Sequence, residues 1–241
     1  IRDGANIISI LQGYSDPRLE RWFATNNADI YSTDDELSPV VEKATKYLGV
    51  RQGVPMTRTE YQGYSKTSRV GIPEQGPRPV LRVAEAYFLR AEGMLRNWNM
   101  GDGTPESLYN EGIHSAWASV LGDESGWAGT YESYINGFIN TEEGGDFDWE
   151  LFEGGFGSAP YINYRNQEYN YYIEENGKQV GINRISVRWH DEDSPEKKLQ
   201  RIITQKWISF FPTLSSVAWT EYRRTGYPKL IPIPSDSVSY T

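Results

Sequence analysis

Residues 79–98 read PVLRVAEAYFLRAEGMLRNW, and this stretch decides the fold class. Val80, Val83, Ala84, Tyr87, Phe88, Ala91, Met94, Leu95 and Trp98 recur at helical spacing and form one wide apolar face. Arg82, Glu85, Arg90, Glu92 and Arg96 supply most of the polar remainder. Ala84 and Ala91 are small residues on the apolar face, which lets a neighbouring helix come close. A Gly-rich break, MGDG at residues 100–103, follows. Thr104 is then a good N-cap, with Pro105 at the first helical position and Glu106 in the first turn. A second helix is expected over residues 105–121, with Leu108, Ile113, Ala116, Trp117 and Val120 on its face and Gly122 as its stop. Two amphipathic helices joined by so short a turn must pack antiparallel, as in the units of TPR-like solenoids. No second copy recurs at a fixed period. A solenoid repeat needs neighbours, so further repeats are expected outside these 241 residues.

Working outward, a third helix is expected from Pro195, capped by Ser194 or Asp193 and ended by Pro212, with Leu199, Ile202, Ile203, Trp207 and Phe210 as its buried stripe. A short fourth follows over residues 215–224, stopped by Gly226 and Pro228. Helical spacing puts Trp207 and Phe210 on one face and Trp219 and Tyr222 on another. All four are expected to be mostly buried. A weaker helical pattern covers residues 38–48. The fold is therefore expected to be mainly α, with TPR-like helix pairs and a large loop-rich, ligand-binding portion. Its parts are a helix pair over 79–121, a loop-rich aromatic segment over 122–193 and terminal helices over 194–226.

Composition narrows the function. No apolar run approaches the ~20 residues of a membrane-spanning helix. There is no cysteine, so disulfides, thiolate metal sites and cysteine nucleophiles are excluded. The formal charge is −9 and no dense basic run occurs, so nucleic acid is not an expected partner. Aromatic residues make up 14% of the chain, which points to loops that pack or bind something. The opening IRDGANIISILQGY, without an initiator Met, reads as the middle of an apolar element, so a longer parent protein is expected.

Few residues suggest covalent chemistry. Asp146, Asp148 and Glu150 alternate beside Trp149, the setting in which a carboxyl could become a general acid, but a solvated acidic loop is the better reading of them. His114 has no ligand partner at helical spacing, and His190 with Asp191 and Asp193 lacks the spacing of a calcium loop. The two aspartates are better read as complementing the N-terminus of the helix that follows. No phosphate loop, dinucleotide fingerprint or nucleophile elbow occurs. No catalytic residue, metal or cofactor is expected.

Carbohydrate suits the aromatic excess better. A sugar ring offers an apolar C–H face and an equator of hydroxyls, and Trp and Tyr offer flat apolar faces with polar tips. Trp127, Tyr131, Trp149 and Tyr164 are the expected platforms, with Gly126, Gly129, Gly144 and Gly145 giving the loops freedom to present them. The nearby acidic side chains favour a neutral glycan.

Three segments carry a family resemblance. PVLRVAEAYFLRAEGMLRNWNMG followed by PESLYNEGIHSAWASVLG resembles the C-terminal half of the SusD/RagB family. KLQRIITQKWISFFPTLSSVAWTEYRRTGYPKLIPIP is similar to its closing segment, and YSDPRL at residues 14–19 also fits. The resemblance implies a surface-exposed outer-membrane lipoprotein of Bacteroidetes-type bacteria. Such a protein binds glycans or peptides without catalysis and delivers them to a SusC-like TonB-dependent transporter. It would meet the membrane only through a lipid anchor whose cysteine lies outside this sequence. A peptide-binding RagB-like member, a TPR-type scaffold and a glycoside hydrolase using residues 146–150 remain the alternatives.

Overall fold

The computed structural model describes residues 4–14, 16–25, 47, 49–50, 79–136, 172–175, 178–181 and 185–230. The chain forms two compact units: Ile1–Pro73 with Asp148–Arg184 and Leu230–Thr241, and Glu74–Phe147 with Ile185–Lys229. The expected 122–193 segment is thus divided between them. The helical pattern at 38–48 lies outside the described residues, apart from the buried Tyr47.

In the first unit, helix α1 (Ala5–Gly13) buries Ile7, Ile8, Ile10 and Leu11, and a short helix α2 (Arg18–Trp22) follows. The YSDPRL motif makes the corner between them. Asp16 accepts from the Arg18 amide at 3.0 Å, from Nε at 2.9 Å and from Nη2 at 2.5 Å, and both side chains are almost fully enclosed. Two charges so enclosed require this bidentate geometry to offset their lost hydration. A two-stranded antiparallel hairpin, β1 (Tyr172–Glu175) with β2 (Lys178–Gly181), belongs to the same unit, Tyr172 opposite Gly181 and Glu175 opposite Lys178.

The second unit is helical: α3 (Val83–Leu95), α4 (Pro105–Leu121), a 3-10 turn (Glu124–Gly126), α5 (Ala128–Asn136), α6 (Pro195–Phe210) and α7 (Ser215–Thr225). Helix α3 starts at Val83, so residues 79–82 stay outside the helix. Arg82 sits at the N-cap and gives its Nη2 to Thr213 Oγ1 at 3.2 Å and to the Phe211 carbonyl at 3.4 Å. The helix closes with Asn97 at φ +60, where the Trp98 amide reaches Gly93 O and the Asn97 amide reaches Met94 O. That is a Schellman stop with Asn in the left-handed position. Helix α4 opens on a capping box: Thr104 Oγ1 accepts from the Ser107 amide at 3.1 Å, and Ser107 Oγ accepts from the Thr104 amide at 2.8 Å.

Phe88 and Gly112 fix how closely α3 and α4 meet. A Cβ at Gly112 would stand 2.7 Å from Phe88 Cε1, and Phe88 is fully buried. The ring has nowhere to go. Gly112→Ala is therefore expected to destabilise by about 1–3 kcal/mol in urea melts, despite the better helix propensity of alanine, because overpacking outweighs it.

Helix α6 lies against α3 and α4. It buries Ile202, Ile203, Ile208 and Phe210, but also Arg201, Thr204, Gln205, Lys206 and Ser209. Leu199 and Trp207, expected in the stripe, are only half-buried. The burial of α6 is wider than its apolar stripe because polar side chains on its flanks find partners. The expectation for α7 also needs correction. Trp219 is 57% exposed and lies stacked on the half-buried Tyr222, ring centroids 5.6 Å apart. The face that α7 turns inward is ionic instead. Glu221 meets Lys206 of α6 at 3.1 Å, and Arg224 forks onto Glu92 of α3 at 2.6 and 2.8 Å while touching Glu221 at 2.6 Å. Arg96 adds a further bond to Glu92 at 2.8 Å.

Candidate functional site

Helices α4 and α5, with Trp127 in the turn just ahead of α5, bring five rings together. Trp117, fully buried, stands with its centroid 5.7 Å from Trp127, 5.5 Å from Tyr131 and 4.9 Å from Tyr134. His114, one turn earlier on α4, lies 5.3 Å from Trp127 and 5.2 Å from Tyr131. Most of these contacts are edge-to-face or tilted, the arrangement the ring quadrupoles prefer. Three of the polar tips are tied down by hydrogen bonds. Trp127 Nε1 donates to the Gly122 carbonyl at 3.3 Å, Tyr131 Oη donates to the Asn110 carbonyl at 2.9 Å, and Gln205 Nε2 donates to Tyr134 Oη at 3.0 Å. Tyr134 thereby links α5 to α6.

Carboxylates rim the cluster. Glu124 Oε1 is 2.5 Å from His114 Nε2. The Tyr131 phenol is pushed well above the usual tyrosine range, chiefly by burial and then by the charges of Glu111, Glu132 and Glu124, all on exposed residues. The local potential is therefore negative. A phosphorylated or sulfated ligand would be repelled here, whereas a neutral or cationic one would not.

Trp127 and Tyr131, expected as solvent-facing platforms, do come together, but they expose only 6% and 7% of their surface. Their placement is that of packing residues. The expectation that they stand free in flexible loop is corrected by the helix: positions 127, 131 and 134 are spaced four and three apart, the repeat of one helix face. That spacing is the signal that would also have found Tyr134; Trp117 lies where it was expected, on the buried face of α4, and His114 one turn before it had been weighed only as a metal ligand. Trp149 and Tyr164 lie outside the described residues, as do Asp146, Asp148 and Glu150.

The second acidic group has structural partners. Asp193 binds Arg201 at 2.8 Å and Lys197 at 3.0 Å, and Asp191 accepts from Trp189 Nε1 at 3.1 Å. His190 Nδ1 faces Glu192 at 3.4 Å. Among the described residues no group of three or more acidic or imidazole side chains is arranged to hold a metal ion.

An antiparallel helix pair packed on further helices places this chain in the mainly α, TPR-like class. Sequence comparison then gives the family. Residues 1–135 and 155–239 match the SusD-like family, described as SusD and RagB outer membrane lipoproteins. The chain belongs to that family. None of the curated proteins matches the sequence. Among solved structures, a chitin-binding SusD homologue from Flavobacterium johnsoniae is 30% identical with a TM-score of 0.63, over 96% of this chain and 38% of its own. A SusD homologue from Bacteroides uniformis gives 27% identity and a TM-score of 0.67, over 98% of this chain and 39% of its own. One from Bacteroides ovatus gives 31% and 0.62, over 95% and 40%. The chain thus spans about two-fifths of the length of these relatives.

Proposed function

We propose that these residues are part of a non-catalytic, surface-exposed glycan-binding protein that hands oligosaccharide to a SusC-like TonB-dependent transporter in the outer membrane. The observation that carries the reading is the similarity, across nearly the whole chain, to a SusD homologue described as chitin-binding. The carboxylate rim around Tyr131 supports an uncharged glycan, and chitin is one. Stacking contacts are assigned to Trp149 and Tyr164. Trp127 and Tyr131 brace the start of the same stretch from within the aromatic cluster and meet the ligand only at their exposed edges.

Calorimetry with chitin oligosaccharides and a panel of neutral glycans tests this. Trp149→Ala is expected to weaken binding about tenfold, the ~1.4 kcal/mol of one good aromatic contact, with an unchanged thermal midpoint. Trp127→Ala is expected to lower the midpoint as well, because its ring is packed. Normal binding by Trp149→Ala would remove that ring from the site. A wild-type protein that ignores every glycan but binds oligopeptides would replace the glycan reading with the RagB-like one.

A further inference from the structure

Among the described residues two tryptophans stand exposed on the helical unit, Trp98 at 63% and Trp219 at 57%. Trp98 has the Arg96 guanidinium 6.0 Å over its ring, so one of its faces is already taken. Trp219 has Tyr222 beside it instead, with the two planes only 23° apart. That stack holds the indole in place, so less ordering is left for a ligand to impose. The rings look away from the ionic seam. At 3.6 residues per turn Trp219 falls roughly 160° around α7 from Glu221, which faces Lys206 of α6. Ser215 and Ser216 one turn before Trp219, and Arg223 one turn after it, share this outer side, and all three are exposed. Among the described residues nothing bonds the Trp219 indole N–H, the Tyr222 hydroxyl or the Arg223 guanidinium.

We infer that the outer side of α7, with Trp219 and Tyr222 as platform and Arg223 and Ser216 as polar rim, is a second glycan contact. It rests on the glycan reading and adds to it a surface built from residues outside the 122–193 stretch. A side that another helix covers carries apolar residues over several turns. Here two rings are set among hydroxyls and a guanidinium, which suits an occupant that is itself apolar on one face and polar at its edge. A neutral pyranose has that form: its C–H face lies on the indole, and Arg223 donates to a hydroxyl or acetamide oxygen. The contact also lies on a flank of α6 different from that of the aromatic cluster. The cluster reaches α6 at Gln205, whereas α7 reaches it at Lys206. Two separate contacts on one chain favour a polymer, which presents many sugars at once, over a short oligosaccharide.

Retention of the chain on insoluble chitin, cellulose and mannan, measured by depletion from solution, tests this beside calorimetry with chitin trisaccharide. Trp219→Ala is expected to lower retention on the polymer that the wild type prefers about tenfold, the loss of one aromatic contact. Its thermal midpoint and its calorimetric affinity at the loop contact are expected to stay unchanged. Trp219→Phe, which keeps a flat ring, is expected to hold most of the retention, and Arg223→Met to lose about threefold, one hydrogen bond. Full retention by Trp219→Ala overturns the inference. A clearly lowered midpoint in that variant also overturns it, because the ring would then be packed. The two glycan contacts fail separately. Weakened trisaccharide binding by Trp149→Ala beside full retention by Trp219→Ala keeps the proposed function and removes this contact. Lowered retention by Trp219→Ala beside normal trisaccharide binding by Trp149→Ala keeps this contact and removes the loop assignment. A wild-type chain held by no polymer and no oligosaccharide removes both.

Discussion

Truncation of Trp117 to alanine is expected to cost about 3–5 kcal/mol, the range for deleting a large ring from a closed core. The ring is fully buried and touches Trp127, Tyr131 and Tyr134 at centroid distances of 5.7, 5.5 and 4.9 Å. Those three rings are themselves fixed by hydrogen bonds to Gly122, Asn110 and Gln205, so they cannot collapse into the space left behind. The cavity term therefore adds to the transfer term rather than relaxing away. Urea melts followed by circular dichroism give the number. A loss under about 1 kcal/mol would mean the cluster is plastic, since even partial cavities of this size cost more. Trp117→Phe should recover a good part of the loss.

The second large effect is expected at the ionic seam. Arg224→Met leaves Glu92 enclosed, its side chain 7% exposed, with Arg96 as its remaining ionic partner. The expected cost at neutral pH is about 2–3 kcal/mol, below the 3–5 kcal/mol of a fully stranded buried charge because Arg96 still answers the carboxylate. The pH dependence is the sharper check. Burial alone would raise the Glu92 pKa, but the hydrogen bonds and charges of Arg224 and Arg96 outweigh it and hold the carboxyl below the usual glutamate range. A depressed carboxylate pKa stabilises the fold above its unfolded value, and that stability is lost as pH falls through the folded value. The gap between wild type and Arg224→Met should accordingly narrow as pH falls from about 7 towards 3. A gap that stays constant would show that Arg224 acts through packing alone.

Both seams also mark where the sequence could and could not be read. Helices α3 and α4 were legible because their signals are local: Thr104, Pro105 and Gly122 punctuate α4, and an apolar face at regular spacing runs through both. The start of α3 was misjudged because Val80 extends the apolar pattern past the true N-cap at Arg82, whose side chain is committed to the α6–α7 turn. Nothing near position 82 announces a partner at 213. The inward face of α7 was misread for a related reason. Hydrophobicity ranks Trp219 above Glu221, yet Lys206, distant in sequence, makes Glu221 the better residue to cover, while Arg224 reaches Glu92 from a partly exposed position. The aromatic cluster lay within reach, since Trp127, Tyr131 and Tyr134 keep helical spacing. Glycines at 126 and 129 drew the reading towards loop instead.

The Arg224–Glu92 fork joins residues 132 positions apart, and the chain between them includes the whole stretch from 137 to 184. Closing a loop costs entropy that grows only with the logarithm of its length, about 0.6 kcal/mol for each doubling. One such increment is well under the value expected for the fork itself. Relatives could lengthen, shorten or exchange the enclosed segment at little expense to the helices that bracket it. New specificities could then arise by replacing an insert wholesale, while the frame around it keeps its register.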